Sequence, residues 1–304
     1  MEVISPLTKN TEIKSINKIP VPTLVQKYQE ELKLDIGTFV QGLETIELFE
    51  CKKTGYQFFY PFNLDGDGQF YEKLERFDWY YLPWKWEHQQ TLTLIKPGQS
   101  VLEVGCGPAS FVAHLQKEGY EAVGLELNEH CVNQAQAEGL DVKLELVQDH
   151  ANTNPNKYDL VCSFQVLEHI ADVNSFLQAS ITCLKPGGKL VVCVPNNGSF
   201  IKDEKWNVLN MTPHHMGLWK EDSLRKLENC FKIKTEEIRF EPLEPRHFHW
   251  YRKVWESKYL PKEGSIFYKI YHKMGLYKLI DKWIKNHHQT IHGHSILAIY
   301  QKLD

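Results

Sequence analysis

Short apolar runs alternate with helix-like segments from residue 97 onward, and this alternation restricts the fold more than any other feature. The runs VLEV, AVGLEL, YDLVCSF and KLVVCV are almost continuously apolar. Strands of this kind are buried on both faces, as in a parallel sheet covered by helices. The pattern predicts an α/β fold with a mixed sheet of seven strands and helices on both faces, closed by the last strand HSILAIYQK.

The remainder of the chain divides around this sheet. We predict an N-terminal accessory or lid region over residues 1–96, whose first 19 residues are polar and expected to be loose. It contains a helix, VPTLVQKYQEEL, and two short strands around Thr54 and Gly55. The cofactor-binding domain is predicted over 97–241 and 292–304. A helical insertion, 242–291, interrupts it before the last strand.

Composition narrows the class of protein. The net charge is -4 and the isoelectric point is near 6.4, which gives no electrostatic footprint for nucleic acid. Seven scattered cysteines never form a CxxC pair, a pattern typical of reduced proteins. No apolar run approaches the roughly 18 residues of a membrane span, and the N-terminus lacks a signal-like apolar core. We expect a soluble cytoplasmic protein.

The stretch VLEVGCGPASF, residues 101–111, holds an acid in an apolar strand and follows it with small residues. Open parallel sheets bind ligands at the carboxyl ends of their strands, and glycines there let the backbone approach a ligand. A dinucleotide pattern, G-x-G-x-x-G, fails at Ser110 and is weak support for a NAD-linked oxidoreductase. Glu103, Gly105, Gly107 and Ala109 form E-x-G-x-G-x-A instead.

This spacing resembles the first motif of class I S-adenosylmethionine-dependent methyltransferases, which have a Rossmann-like fold. Four further segments agree with that family in the same order: Glu126 at the end of the second strand, QDH at 148–150, FQVLEHI at 164–170 and LKPGGKLVV at 184–192. Ala109 replaces the third glycine of the motif. The resemblance covers residues 97–241 and the last strand.

The resemblance implies S-adenosylmethionine as cofactor and S-adenosylhomocysteine as product. It gives Glu103 the task of fixing the glycine loop and the methionine amino group, although Glu103 could instead only bind its own loop. Glu126 is expected at the ribose hydroxyls, Asp149 near the adenine amine and Gln165 near the methyl group. The implied cofactor-binding residues are Glu103, Gly105, Gly107, Glu126, Leu127, Asp149, His150 and Gln165.

Two adjacent histidines, His214 and His215, lie in the loop TPHHMGLW after the fifth strand. In this fold that loop lies over the cofactor methyl, and histidine is suited to remove a proton from a hydroxyl near neutral pH. We predict His215 or His214 as the catalytic base, with His169 next. The alternatives are a helix cap, packing on Trp219 and a structural role for His169. No metal is expected, because neighbouring histidines should not both reach one ion.

Two other features of the N-terminal region bear on the site. Cys51 is followed by Thr54 where a zinc-binding Cys-x-x-Cys would need a second cysteine, so no zinc is predicted there. An aromatic run packs in the core or forms a lid over the cofactor; it comprises Trp79, Tyr80, Tyr81, Trp84 and Trp86.

The insertion contains an apolar stripe with interleaved lysines over residues 265–288, weakened by Gly275. It is expected to be either a helical arm packed on its own domain or a contact for an anionic or lipid-linked acceptor.

The predicted reaction is methyl transfer to a small-molecule or glycan acceptor, with a sugar hydroxyl or amine first. The chain is similar to bacterial methyltransferases associated with cell-surface glycan biosynthesis. A lipid or quinone-like phenol is the second acceptor class, and a non-catalytic binding module is the alternative of another kind. SFQV stands where nucleic-acid base methyltransferases carry Asn-Pro-Pro-Tyr, so no nucleic acid is expected. The oligomeric state is left open.

Overall fold

The computed structural model describes residues 2–77, 82–204 and 206–304. Three strands of the N-terminal region and one short strand from later in the chain form a small antiparallel sheet, with the order β1-β2-β3-β9. The strands are β1 (Ile13–Pro20), β2 (Thr45–Cys51), β3 (Gln57–Tyr60) and β9 (Gly217–Leu218), and the helices are α1 (Val21–Leu32), α2 (Gly68–Glu75) and α3 (Trp86–Leu92).

The expectation of a loose N-terminus is wrong. Leu7 is fully buried against the main domain, and the Asn174 side chain donates a hydrogen bond of 2.7 Å to its carbonyl oxygen. Residues Ile13–Pro20 form the edge strand of the small sheet and pair with β2. A single apolar side chain thus anchors a segment whose composition is otherwise polar.

A seven-stranded sheet with the order β10-β11-β8-β7-β4-β5-β6 forms the centre of the described molecule. Every strand runs parallel except β11, which is antiparallel to β8 and β10. The strands are β4 (Ser100–Val104), β5 (Glu121–Glu126), β6 (Val142–Leu144), β7 (Tyr158–Phe164), β8 (Leu184–Pro195), β10 (Ile233–Pro242) and β11 (His292–Lys302). The predicted mixed α/β sheet of seven strands is confirmed.

Helices cover both faces because the central strands are apolar on both sides. Leu102 and Val104 of β4 pack in one core cluster, whereas Val101 packs in the other. The helices are α4 (Ser110–Lys117), α5 (Glu129–Ala137), α6 (Val147–Thr153), α7 (Val173–Cys183) and α8 (Glu221–Arg225). Side-chain caps begin two of them: Asn128 accepts from two backbone N–H groups of α5, and Asp172 from one of α7.

The third strand of the sheet is shorter than the apolar pattern of DVKLELVQ, residues 141–148, predicts. It comprises Val142–Leu144 only, and the chain turns at once into α6. This moves QDH from a strand end into a helix, which changes what its side chains can reach.

The segment between β10 and β11 contains three helices, α9 (Phe248–Tyr259), α10 (Ile266–Lys273) and α11 (Tyr277–His287). Gly275, with a φ of +68°, separates α10 from α11, so the apolar stripe is carried by two helices. We call residues 248–287 the arm. Within the parts of the chain that the structure describes, no helix combines the length and the apolarity needed to cross a bilayer.

Candidate functional site

The turn after β4 is held against the end of β5. The backbone N–H groups of Gly105 and Cys106 both donate to the Leu125 carbonyl oxygen, at 2.8 and 3.0 Å. Gly105 has a φ of +74°, and a Cβ atom there would lie 2.5 Å from the Val166 side chain. Only glycine satisfies both conditions, so this position is set by backbone geometry. Ala109 takes the same left-handed region, with a φ of 57°, as the residue that precedes α4.

Glu103 lies at the floor of this loop and is buried, with 4% of its surface exposed. Its Oε2 atom has no hydrogen-bond partner in the structure. Burial raises the pKa of Glu103 to about 8, while nearby Lys85 and the backbone N–H of Val112 act in the opposite direction. A buried carboxyl oxygen without a partner fits a cationic ligand, such as the ammonium and sulfonium groups of S-adenosylmethionine.

The Glu126 carboxylate joins the glycine loop to the start of α5. Its Oε2 atom accepts from Gly107 N at 2.7 Å, and its Oε1 atom accepts from Leu127 N at 2.7 Å and Asn128 N at 2.8 Å. A carboxylate has about four acceptor positions, so three are already in use. The acid therefore organises the loop directly, and a ribose hydroxyl would share it with these backbone groups.

Exposed leucines lie at the carboxyl ends of β5 and β6, on the side where the adenine of the cofactor is expected. Leu127 is 60% exposed, and Leu144 and Leu146 are also exposed. Asp149 is exposed on α6. Its neighbour Gln148 has a buried Oε1 atom without a hydrogen-bond partner, an acceptor that sequence reasoning missed and one that an adenine amine could satisfy.

The His150 side chain is held inside the protein, and its predicted cofactor contact stays a prediction. The ring is fully buried, with Nδ1 2.9 Å from Glu145 Oε2 and Nε2 2.8 Å from the Tyr158 hydroxyl. Because both nitrogens are engaged by the protein, the side chain anchors α6 to the sheet. The segment QDH was expected directly after a strand, whereas it lies inside α6.

Gln165 occupies the first position after β7 with a φ of 55°, a strained conformation for a side chain of this size. Its Nε2 atom donates to Ser295 Oγ at 3.3 Å and lies 3.6 Å from Cys193 Sγ. The amide is thus directed toward β8 and β11. A contact with the cofactor methyl stays a prediction.

Three histidines from two segments lie close together at the carboxyl edge of the sheet. His169 ends a single 3-10 turn, Leu167–His169, after β7, and His214 and His215 lie in the loop after β8. The ring centroids of His169 are 4.8 Å from those of His214 and His215, whose rings stack 4.5 Å apart at 20°. One nitrogen from each residue lies within 4.8 Å of those of the other two. We call these three residues the histidine cluster.

Burial lowers the basicity of the whole cluster. It lowers the pKa of His169 to about 4 and that of His214 to about 3, and it lowers the pKa of His215 well below its usual value. All three imidazoles are therefore neutral at physiological pH. Neighbouring histidines were not expected to reach one ion together, but here the rings of His214 and His215 lie side by side. Three neutral imidazoles at this spacing could hold a metal ion.

The loop that carries His214 and His215 is tied to the N-terminal sheet. Gly217–Leu218 forms β9 and pairs with Gln57 and Phe58 of β3. The Tyr28 hydroxyl donates to the Val208 and Met211 carbonyl oxygens, at 2.7 and 2.9 Å. The next helix, α8, begins two residues after Trp219. Trp219 itself is fully buried beside Tyr56.

Several site residues escaped the sequence analysis. Lys85 lies near Glu103 and Glu168. Its positive charge opposes the rise that burial causes in the pKa of both carboxyls. The Tyr71 hydroxyl is 3.2 Å from His169 Nδ1. The available signal for Lys85 was its position between two tryptophans. Of the predicted aromatic run, Trp84 packs against His114 with the ring centroids 4.7 Å apart.

Three members of that aromatic run, Trp79, Tyr80 and Tyr81, lie outside the described residues. Trp86 packs against the core cluster that contains α4. In the same N-terminal region, Cys51 and Thr54 are both buried, and Cys51 Sγ lies 3.5 Å from the Thr8 hydroxyl. The absence of zinc at Cys51 stays a prediction.

A cleft of about 500 Å³ separates the loop after β8 from the arm. Both of its walls carry aromatic and charged side chains. They are Phe200, Lys202, Asp203, Tyr251, Trp255, Lys258, Tyr259 and Trp283. Ser199, on the β8 side, has a buried hydroxyl without a hydrogen-bond partner. This cleft lies at the carboxyl edge of the sheet, where ligands bind in folds of this type.

The sheet order, the glycine loop and the two strand-end acids together define a class I S-adenosylmethionine-binding fold. The methyltransferase domain family matches residues 80–232, just over half of the chain. The chain belongs to this family of S-adenosylmethionine-dependent methyltransferases, and S-adenosylmethionine is its cofactor.

Curated relatives match a shorter segment. The ubiquinone biosynthesis O-methyltransferase of Aliivibrio fischeri (strain MJ11) is 36% identical over 97 residues, which are 30% of this chain and 42% of that protein. The protein of the same name from Vibrio cholerae serotype O1 (strain M66-2) is 33% identical over 97 residues, or 30% and 40% of the two chains. The match thus spans less than half the length of these relatives.

Solved structures with similar folds share little sequence with this chain. A SAM-dependent methyltransferase from Archaeoglobus fulgidus is 17% identical with a TM-score of 0.48, covering 70% of this chain and 90% of its own. The PH0226 protein from Pyrococcus horikoshii OT3 is 13% identical with a TM-score of 0.49, covering 76% and 98%. At TM-scores below 0.5, nothing is inferred from these two likenesses.

Proposed function

We propose that the protein transfers the methyl group of S-adenosylmethionine to a hydroxyl oxygen of a small-molecule acceptor held against the histidine cluster. The observation that carries the proposal is the cluster itself, three neutral imidazoles at the same sheet edge as the glycine loop. A neutral imidazole accepts a hydrogen bond or a proton from a hydroxyl, and His215 remains our first candidate for this role.

The proposed cofactor contacts use groups that can still accept a hydrogen bond in the structure. Glu103 would bind the methionine ammonium, and Glu126 would bind a ribose hydroxyl through its remaining acceptor position. Gln148 would accept from the adenine amine, with Asp149 as the alternative, while Leu127 would cover the ring. The cofactor supplies an electrophilic methyl group; the protein positions the acceptor and excludes water.

A phenolic acceptor suits the low basicity of the cluster better than a sugar hydroxyl. Burial lowers the pKa of His169 to about 4, so this ring is a weak base. A phenol has a pKa of about 10, and an aliphatic hydroxyl is a far weaker acid. Because proton transfer is favoured when the two pKa values are closer, we place a quinone-like phenol first. The name of the curated relatives agrees with this choice.

A sugar or glycan hydroxyl is the second acceptor class. The observation in its favour is the cleft beside the arm, where Lys202, Asp203 and Lys258 lie among aromatic side chains. Charged groups of both signs could bind several hydroxyls of one sugar. The ion pair between Lys258 and Asp203, 2.7 Å long, uses one donor and one acceptor and leaves the other positions of both groups for sugar hydroxyls.

An acceptor panel with radiolabelled S-adenosylmethionine tests the proposal. We expect methylation of catechol-like phenols, and we expect His215→Ala to lower kcat at least about a hundredfold with little change in S-adenosylhomocysteine affinity. The exposed His130 supplies the matched control, His130→Ala. Methylation of sugars alone would reverse the order of acceptors. Tight cofactor binding without methylation of any acceptor would favour the binding module.

The arm suggests how an amphipathic acceptor would be reached. Phe267 and Leu279 are 69% and 64% exposed, and Ile266, Met274 and Trp283 are also exposed. Residues 259–288 carry six lysines against two acidic residues, a formal charge of +4 in a chain of net charge -4. An apolar surface surrounded by lysines matches an anionic phospholipid bilayer. We therefore assign the arm to peripheral membrane contact.

Co-sedimentation with vesicles tests this assignment. The protein should bind phosphatidylglycerol vesicles and lose at least about tenfold in binding when Phe267 and Leu279 are both changed to glutamate. Ile16→Glu, at an exposed apolar residue of β1, is the control. Equal binding to neutral phosphatidylcholine vesicles, or a dimer that buries the arm in light scattering, would overturn the assignment.

A further inference from the structure

The protonation of the histidine cluster follows from its hydrogen bonds. His169 Nδ1 lies 2.5 Å from the His214 carbonyl oxygen, and His214 Nδ1 lies 2.7 Å from that of Leu209. His215 Nδ1 lies 3.1 Å from Asn210 Oδ1. Since these oxygens only accept hydrogen bonds, each neutral ring carries its proton on Nδ1. The lone pair is therefore on Nε2 in all three residues.

This arrangement is the one that metal-binding histidines adopt. A ligating imidazole commonly donates its second nitrogen to a carbonyl or carboxylate, which fixes both the tautomer and the ring orientation. Here two backbone carbonyls and one amide oxygen do so.

A buried carboxyl group beside the cluster supplies a second, independent observation. Glu168 is 1% exposed, and its Oε1 atom lies 3.9 Å from His169 Nε2. Its Oε2 atom has no hydrogen-bond partner. A buried carboxyl oxygen without a partner is costly, and a cation between Glu168 and the imidazoles would remove that cost.

We infer that His169, His214 and His215, supported by Glu168, form a binding site for a divalent transition-metal ion of the zinc type. Nitrogen ligands favour zinc, cobalt or iron over magnesium and calcium, which prefer oxygen. A tetrahedral zinc ion at about 2.0–2.1 Å from each nitrogen brings the nitrogens about 3.4 Å apart. The three rings, within 4.8 Å of one another, then close by roughly 1 Å.

With the three imidazoles as ligands and Glu168 as a neighbouring charge that does not coordinate, a tetrahedral ion would leave its fourth position for the acceptor oxygen. As a Lewis acid it would lower the pKa of the acceptor hydroxyl. The histidines alone are weak bases and would remove this proton less readily. This role rests on the proposed function, but binding of the ion does not. The two are therefore tested by separate measurements.

Cobalt substitution provides a readout other than activity. The full chain is treated with a chelator, dialysed and titrated with Co²⁺, and visible absorption reports coordination by nitrogen ligands. We expect one equivalent to bind, displaced by Zn²⁺. His169→Ala and His215→Ala should each weaken binding at least about tenfold, since even supporting residues of metal sites contribute ten- to a hundredfold. His130→Ala and Cys51→Ser should bind as the wild type does.

Glu168→Gln separates ligation from folding. It keeps the shape of the side chain and should weaken cobalt binding, while S-adenosylhomocysteine affinity and the circular dichroism spectrum stay unchanged. No stoichiometric cobalt in the wild-type protein would overturn the metal site. If the histidine variants then still lose kcat, the proposed methyl transfer stands and the imidazoles act directly. Cobalt binding that survives both histidine variants would also overturn the site.

Discussion

Replacing Glu126 by glutamine is the most direct test of how this cofactor site is organised. Glutamine has the same shape, and its oxygen can keep the two hydrogen bonds that Oε1 accepts from Leu127 N and Asn128 N. Its amide nitrogen must then face Gly107 N, which is 2.7 Å from Oε2 in the native protein. Two donors at this distance repel, so the glycine loop has to move.

The magnitude follows from the hydrogen bonds that the substitution removes. One hydrogen bond to a charged acceptor contributes about 1.5–3 kcal/mol, and the bond to Gly107 is removed outright. The ribose hydroxyl loses its charged partner as well. Because Glu126 is partly exposed, we use the lower end of the range for each of these two bonds. The sum is about 3 kcal/mol, roughly a hundredfold in affinity.

Isothermal titration with S-adenosylhomocysteine measures this change. Glu129→Gln, at an exposed acid on the first turn of α5, is the matched control and should leave the dissociation constant unchanged. The melting temperature of each variant distinguishes a displaced loop from an unfolded domain. A dissociation constant within twofold of the wild type for Glu126→Gln would refute the role assigned to this carboxylate.

Four further outcomes are expected. Because burial raises the pKa of Glu103 to about 8, it is mainly protonated at pH 7, and S-adenosylmethionine binding should release a proton, seen as a buffer-dependent binding enthalpy at pH 7; the same enthalpy in buffers of different ionisation enthalpy would contradict this. The same raised pKa means that Glu103 contributes stability to the ligand-free protein that is lost as the pH rises from about 4.5 to 8. Because Glu168 shares this raised pKa and the buried histidines act with the opposite sign, the contribution is measured as the difference between thermal melts of the wild type and Glu103→Gln; a difference that does not change with pH contradicts the assignment. Tyr158→Phe should lower the melting temperature through loss of the buried hydrogen bond to His150, with S-adenosylhomocysteine affinity unchanged. A selective loss of affinity would instead support the predicted cofactor contact of His150. Ala109→Gly should change the unfolding free energy by less than about 1 kcal/mol, since relief of a left-handed alanine is offset by loss of a buried methyl group; a loss above about 2 kcal/mol would show that this balance is wrong.

The sheet was predictable because its signals are local. Each central strand is a short apolar run, and each turn toward a helix carries a glycine or a cap such as Asn128. The positions of Gly105 and Glu126 follow from the same local signals, since a motif of fixed spacing places them at neighbouring strand ends. Nothing beyond the sequence is needed to bring them together.

The histidine cluster depends on contacts that no local pattern encodes. His169 meets His214 and His215 across 45 residues of chain, and the facing of the last two rings is set by acceptors at Leu209 and Asn210. The length of the third strand was missed for a related reason. Leu146 looks like a strand residue, but it is exposed at the start of α6 rather than buried in the sheet.

The pairing of β9 with β3 has a consequence for engineering. The loop with the two histidines is hydrogen-bonded to residues 57–58, and Tyr28 holds the same loop from α1. If this loop recognises the acceptor as proposed, recognition is distributed over segments that are far apart in the chain but joined by hydrogen bonds. A chimaera that exchanges only residues 206–219 would break this joint. Transplanting acceptor preference between homologues should require residues 2–77 to travel with that loop as one module.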